Sequence, residues 1–335
     1  MMKKLRVLLV GYGPRGVMWS KVIKKNQKAI LVGVCDINSN IQNKFSKKFP
    51  FFSILEKAIQ ELNPDIILLC TPPFNRMKDF KICAKYRLPI LVEKPLAVNL
   101  KEALKLVDFM NKQKLFLMVG LNFRYLPTTT KKINLIKSQK VGKPNFSKFI
   151  YERWRDGNLK RLNKYPLYMD YPMLWEQSIH HFDLIRFIYK SNVKSVFATS
   201  SNPPWSMYAH DTNVNAILEL KNGMLVNYIG NWQSNCKSLN FEWRTDCTKG
   251  IIIQKKQFSD LSYRQHNSLN FKNIKLGNFK MWTDDAQLLL LDFIKSIKNN
   301  KNLLKTNKDH LNSISIVDAC IKSSKSGKKI IIKNY

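Results

Sequence analysis

No stretch of the chain approaches the roughly 18 consecutive apolar residues that a membrane-spanning helix needs, so no such helix is expected. No Cys-x-x-Cys pair occurs among the six cysteines, and their spacing offers no zinc site. Cys35 and Cys70 close apolar runs, where a thiol serves as a small buried hydrophobe; six reduced thiols are the expectation. Acidic residues are scarce, 23 against 57 Lys and Arg, which gives a formal net charge of +34. Such an excess raises the question of a polyanion partner. The excess is mostly Lys, 46 against 11 Arg, and runs from Lys3-Lys4 to Lys328-Lys329 without a basic block or an aromatic-interleaved stripe. Phosphates and bases are read mainly by Arg. Nucleic acid is therefore not the expected partner, and the lysines fit a compositional drift. Internal repeats and low-complexity linkers are also absent. The start, Met1–Arg6, is basic, but Leu5–Val10 is too short for the apolar core of a signal peptide and reads as a strand. A cytoplasmic location follows as an expectation.

What is present is a globular composition. The chain has 335 residues, 44% of them hydrophobic, enough for two domains with separate cores. Over the first 120 residues, continuous apolar runs at Leu5–Val10, Ile30–Cys35, Ile66–Cys70, Ile90–Val92 and Phe116–Val119 read as strands covered on both faces. Amphipathic segments lie between them. One opens with Ser53 and Glu56 at capping-box spacing and stops near Asn63-Pro64; another begins after Asn99. Strand–helix alternation implies a doubly wound parallel sheet.

Beyond about residue 125 the pattern changes. Asn145–Tyr151, Val193–Ser200, Asn213–Leu220, Met224–Tyr228 and Leu239–Arg244 read as strands, several with period-two alternation, and Asn222-Gly223 marks a hairpin turn. Helices are expected at Trp175–Tyr189, Asp285–Lys298 and His310–Ser324, with a short closing strand at Ile330–Ile332. The fold expected is α/β: a nucleotide-binding Rossmann domain over 1–122 and an α/β domain with an open, mainly antiparallel sheet over 123–335.

The chemistry starts at Gly11-Tyr12-Gly13-Pro14-Arg15-Gly16, which sits between a strand and a helix as a dinucleotide turn must. Gly11 permits the tight turn, Gly13 the approach of a diphosphate, and Gly16 close helix–strand packing. The helix N-terminus then offers free N–H groups and a positive dipole end, and Arg15 could reach a phosphate. Asp36 ends the second strand 20 residues after Gly16, where an acid accepts the adenosine ribose hydroxyls and repels a 2′-phosphate. NAD is favoured over NADP; the competing reading of Asp36 is a helix cap. Glu93-Lys94-Pro95 follows a later strand and places a reactive amine where a dinucleotide would be held.

Hydride transfer from a secondary alcohol needs a proton acceptor and stabilisation of the developing charge on oxygen. Burial and a cationic ring both lower a lysine pKa, so Lys94 can serve as a general base, a role contributing roughly 10²–10⁴-fold. An imidazole is the side chain suited to proton transfer near neutrality, so His180 could take the proton while Lys94 acts electrostatically. Glu176, four residues earlier, shares a helical face with His180 and could fix its tautomer or hold a substrate hydroxyl. The bland reading makes Trp175–Tyr189 an amphipathic helix packing Ile179, Phe182 and Phe187, with His180 a core or surface histidine; His181 is read as structural. Trp154, Arg155 and Trp232 suit a sugar pocket, against the reading that they are core. Tyr165–Tyr171 reads as a loop beside the site.

With the glycine turn, Asp36, Cys70-Thr71-Pro72-Pro73, Glu93-Lys94-Pro95 and the run from Glu176 through His180 to Asp183, the chain resembles the Gfo/Idh/MocA oxidoreductases (glucose–fructose oxidoreductase / inositol dehydrogenase-like) over nearly its whole length. The resemblance implies sugar or cyclitol substrates and subunit association, as dimer or tetramer, through the open sheet. It also implies that Thr71 and Pro72 line the nicotinamide, that Glu93 contacts its ribose, that Lys94 touches the reacting hydroxyl, that Glu176 and His180 complete the site, and that Arg124 lies near the substrate. The chain departs from the pattern at Glu176 (usually Asp), Ser178 (usually Gly) and Arg76 (commonly His). Those departures leave a catalytically silent nicotinamide-binding sensor or regulatory subunit as the alternative function; a polyanion binder ranks below both.

Overall fold

The computed structural model describes residues 3–44, 49–299 and 302–335. In chain order come β1 (Leu5–Val10), α1 (Pro14–Lys24), β2 (Ala29–Cys35), β3 (Phe51–Phe52), α2 (Leu55–Leu62), β4 (Ile66–Leu69), α3 (Met77–Lys85), β5 (Ile90–Val92), α4 (Leu100–Lys112) and β6 (Leu117–Val119), strand alternating with helix except between β2 and β3. Then follow α5 (Pro127–Lys137), β7 (Pro144–Glu152), and a π-helical turn (Leu174–Ser178) that runs directly into α6 (Ile179–Tyr189). Strands β8 (Val193–Ser201), β9 (Asn213–Leu220), β10 (Leu225–Asn231), β11 (Asn240–Cys247), β12 (Gly250–Lys256), β13 (Ser259–Gln265) and β14 (Lys272–Asn273) precede α7 (Asp284–Lys298), α8 (Leu303–Ser326) and β15 (Ile330–Ile331).

The chain divides into two compact units. One comprises Met1–Asn122 with Trp282–Leu311, the other Phe123–Met281 with Asn312–Tyr335. The segment Trp282–Leu311, read from sequence as part of the second domain, therefore packs with the first unit. Its anchors are polar as well as apolar. Gln287 on α7 donates to the Val22 carbonyl at 2.6 Å and accepts from Asn26 at 2.5 Å, and Asn307 on α8 satisfies the Leu117 N–H and Leu115 carbonyl.

The sheet of the first unit has the order β3-β2-β1-β4-β5-β6, all parallel. Its strands are apolar end to end because both faces are covered; Val7, Leu8, Leu9, Ile67 and Ile90 are wholly buried. Strand order reverses between β1 and β4, which makes the carboxyl ends of those strands the ligand crevice of such a sheet. Asn99 caps α4 as expected, accepting the Glu102 N–H at 2.7 Å. The Ser53–Glu56 capping box does not form: Ile54 is the N-cap residue of α2, and Glu56 instead accepts from Lys85 (2.7 Å) and Tyr86 (3.1 Å) on a neighbouring segment. The helix stops at Asn63, which takes a left-handed conformation (φ 42°).

The second unit carries a nine-stranded sheet ordered β14-β13-β12-β11-β7-β10-β9-β8-β15. Only β7 and β10 pair in parallel; the other pairs are antiparallel. Asn222-Gly223 does join β9 to β10, with Gly223 at φ +85°. Strands β12 and β13 escaped the sequence reading, because the Thr248-Lys249 turn before β12 carries no Gly or Asn mark. Along β9, Val214, Ala216, Leu218 and Leu220 are buried, while the alternate positions face outward. The outward face still holds apolar side chains: Phe197 is 42% and Ile217 50% exposed.

Candidate active site

In the first unit the glycine turn follows β1 at the strand reversal. Gly11 sits at φ +88°, and a Cβ there would lie 2.9 Å from the Cys70 and Thr71 backbone; a Cβ on Gly16 would lie 2.1 Å from the Gly11 carbonyl oxygen. Neither position accepts a side chain. Gly13 is the N-cap of α1 and Pro14 its first residue, so no capping side chain obstructs the helix N-terminus. Asp36 accepts the Tyr12 N–H at 2.6 Å and the Asn38 N–H at 2.9 Å, one on each carboxylate oxygen. It thus holds the turn and the chain after β2 together, and each oxygen retains acceptor capacity.

Arg15 turns toward the end of β5. Its guanidinium lies 2.6 Å from Glu93 Oε1, the same oxygen that accepts Trp19 Nε1 at 2.6 Å, and lies 5.4 Å from the Trp282 ring. Burial opposes the Arg15 charge, but the Glu93 carboxylate outweighs it and raises the Arg15 pKa. Glu93 is 5% exposed. The fully buried Arg76 binds the two predicted loops to each other. It donates to the carbonyls of Glu93 (3.0 Å), Pro95 (2.7 Å) and Leu96 (3.0 Å) from one nitrogen and to the Thr71 carbonyl (2.5 Å) from the other. The backbone on both sides of Lys94 is thereby pinned. Pro72 is exposed, and Thr71 Oγ1 is buried without a hydrogen-bond partner among the described residues. That orphaned hydroxyl, the glycine cradle and the acceptor capacity of Asp36 together fit a bound dinucleotide. Gly11, Gly13, Arg15, Gly16, Asp36, Thr71, Pro72, Glu93 and Lys94 thus lie at one edge of one sheet.

Sequence reasoning missed Trp19, Arg76 as a clamp, and Asp285. Asn122 donates to Asp285, whose carboxyl is wholly buried and pushed upward in pKa by that burial. Only Arg76 carried a signal, as the residue standing where a His is common.

In the second unit the expected helix Trp175–Tyr189 opens instead as the π-helical turn, a form that recurs at functional sites. Glu176 accepts from the Tyr165 hydroxyl at 2.7 Å, which ties the tyrosine-rich loop to this turn. His180 is 5% exposed and stacks on Phe123, centroids 4.2 Å apart and planes 19° apart. His181 has a packing role: it bonds Gln177 and the Tyr228 hydroxyl, each at 2.9 Å, and burial lowers its pKa to about 3. The Ser178 hydroxyl accepts from that same Tyr228 at 2.8 Å, so the departure from glycine finds a partner. Arg124 grips Asp183 with two hydrogen bonds, 2.7 and 2.5 Å. Arg155 lies 4.1 Å over the ring of Trp232, which is wholly buried beneath it, and Trp154 bridges to Gln233.

Comparison with known proteins agrees with this geometry. Residues 5–121 match the Gfo/Idh/MocA family model described as an oxidoreductase family with an NAD-binding Rossmann fold, and residues 131–253 match its C-terminal domain. The myo-inositol 2-dehydrogenase of Thermotoga maritima is 24% identical over 209 residues, covering 59% of this chain and 58% of that protein, so less than two thirds of that relative is spanned. Among solved structures, an oxidoreductase from Agrobacterium radiobacter in complex with NAD+, L-tartaric acid and magnesium superposes with a TM-score of 0.86 at 16% identity, over 98% of each chain. The scyllo-inositol dehydrogenase of Lactobacillus casei with NAD(H) and scyllo-inositol gives 0.78 at 16% identity, over 98% and 99%. At such identities the structural likeness speaks for the fold.

Proposed function

Because this chain belongs to the Gfo/Idh/MocA family of NAD-binding oxidoreductases, we propose that it transfers a hydride between a nicotinamide cofactor and a secondary alcohol or ketone of a sugar or cyclitol derivative. The observation that carries the reading is the joining of the loops after β1, β4 and β5 through Arg15–Glu93 and Arg76. It leaves Lys94 on a backbone fixed from both sides at the crevice edge.

Gly11, Gly13, Gly16 and the first turn of α1 would hold the diphosphate, with Asp36 on the adenosine ribose, which favours NAD over NADP. Thr71 and Glu93 would meet the nicotinamide riboside. When bound, the cofactor accepts or supplies the hydride. Lys94 and His180 handle the hydroxyl proton, one as acceptor and one as electrostatic support. Glu176, held by Tyr165, orients a substrate hydroxyl or the imidazole. The outward apolar face of the second sheet supports self-association, and the absence of a helix apolar enough to cross a membrane, among the described residues, is consistent with the cytoplasm.

A panel of polyols, inositols and sugar acids, assayed with NAD and with NADP, tests the reading. Turnover with NAD and its reversal toward NADP in Asp36→Ala support it. Tight binding of reduced cofactor without turnover on any member would favour a silent sensor, and no binding at all would contradict the reading outright.

A further inference from the structure

Among the described residues, four arginines of the second unit, Arg153, Arg155, Arg161 and Arg264, have no carboxylate partner; Arg153 and Arg155 stand two residues apart just past β7, and their placement speaks to the substrate. Beyond the end of β7 successive N–H groups still point to opposite sides, Trp154 donating to Cys236 at 3.1 Å, although the register against the chain after β10 slips by one residue. Arg153 N–H donates to Asn231 at 3.0 Å, and Arg155 N–H to Trp232 at 2.8 Å. Extended chain sends alternate side chains to one face, so Tyr151, Arg153 and Arg155 point the same way while Trp154 points the other. That face is the one the π-helical turn covers. Tyr151 is buried, with its hydroxyl 3.4 Å from Gln177 Oε1 and its ring 4.9 Å from His181. Burial raises the Tyr151 pKa and the nearby Arg153 and Arg155 charges oppose that rise, while Arg155 lies over Trp232 and accepts the Tyr208 hydroxyl on its backbone carbonyl at 3.3 Å. Arg155 Nε is buried and has no hydrogen-bond partner among the described residues.

Neither arginine is within ion-pair distance of an acid among the described residues. The acids nearest in sequence are engaged elsewhere: Glu152 accepts from Asn240, and Asp156 from the Asn158 N–H. By contrast Arg15, Arg124, Arg186 and Arg244 each have a carboxylate. A partly buried guanidinium fork is matched in shape and charge by a carboxylate or phosphate, with short, charge-assisted hydrogen bonds. A neutral polyol would leave the fork without a counter-charge.

We propose that Arg153 and Arg155 bind an oxyanion group of the substrate, so that the sugar derivative this protein acts on is an acid or a phosphate ester. The proposal rests on the oxidoreductase reading above and adds the class of substrate to it.

The test compares D-glucose and myo-inositol with D-gluconate, D-glucuronate and D-glucose 6-phosphate, in the full-length protein and in Arg155→Met, Arg155→Lys and Arg153→Met. Hydrogen bonds to a charged group differ from neutral ones enough to separate the two substrate classes by about 10–100-fold. The wild type is expected to prefer at least one anionic compound by that factor in kcat/KM. The carboxylates and the phosphate distinguish which oxyanion is taken. Arg155→Met and Arg153→Met are expected to lose the preference with reduced-cofactor affinity retained, and Arg155→Lys to retain part of it. Equal activity on neutral and anionic compounds, or an unchanged ratio in a folded Arg155→Met, overturns the proposal and leaves the oxidoreductase reading standing. If no compound turns over, calorimetric titration with the same five ligands decides. Binding of an anionic compound that Arg155→Met abolishes sustains the oxyanion site on its own, and failure of all three anions to bind ends it.

Discussion

Lys132, on α5, is wholly buried; its Nζ lies 3.4 Å over the Trp243 ring and has no hydrogen-bond partner among the described residues. Desolvation pushes its pKa well down, so unfolding takes up a proton and stability should rise with pH toward the ordinary lysine range. Replacing the amine by a thioether of similar length removes the unsatisfied group, and Lys132→Met is expected to gain about 1–3 kcal/mol at neutral pH, read by chemical denaturation. His181 has the same sign in a lower window. Its pKa falls from 6.5 to about 3, so the folded state keeps it neutral while the unfolded chain protonates. Stability is complete above about pH 6.5 and declines as pH falls toward 3, by up to ~1.4 kcal/mol per pH unit. The Tm difference between wild type and His181→Gln should narrow across that window; a constant difference would show that the imidazole is not held neutral. At this scale the sequence displays identity but not burial. Gly11 and Gly16 are legible because the turn they form depends on neighbours a few residues away. Arg76 and Lys132 are not, because tertiary packing alone tells a buried cation from the many exposed lysines around it.

Among the elements, the parallel strands were readable because apolar runs such as Leu5–Val10 and Ile66–Leu69 have no polar face, and β9 because its alternation survives on one buried side. Caps were harder. Ser53 and Asn99 both precede amphipathic runs with an acid three residues on, yet only Asn99 caps its helix; Glu56 is drawn to Lys85 instead. Asn99→Ala should therefore cost about 1 kcal/mol, whereas Ser53→Ala should change stability by less than about 0.5 kcal/mol. Equal losses in thermal unfolding would refute this assignment. The π-helical turn before α6 was invisible to a reading based on 3.6-residue periodicity, since one widened turn does not disturb an apolar stripe that is buried nearly all round.

For the whole molecule, two units with different grammars could be separated in sequence near residue 122, but the return of Trp282–Leu311 to the first unit could not. A helix states which face is apolar, not which partner covers it. The open face of the second sheet, with Phe197 and Ile217 outward, is expected to mediate association between copies; Ile217→Lys should lower the mass seen by light scattering, and an unchanged mass would locate the contact elsewhere. The central claim is that Lys94, pinned by Arg76 beside the glycine turn, acts on the reacting hydroxyl. Single-turnover oxidation of reduced nicotinamide by a ketone substrate, catalysed by wild type and by Lys94→Ala with cofactor affinity measured on the same samples, tests it most directly. The expected result is a loss of at least about 10²-fold in the hydride-transfer rate with cofactor affinity retained. A folded Lys94→Ala protein that transfers hydride at the wild-type rate would contradict it.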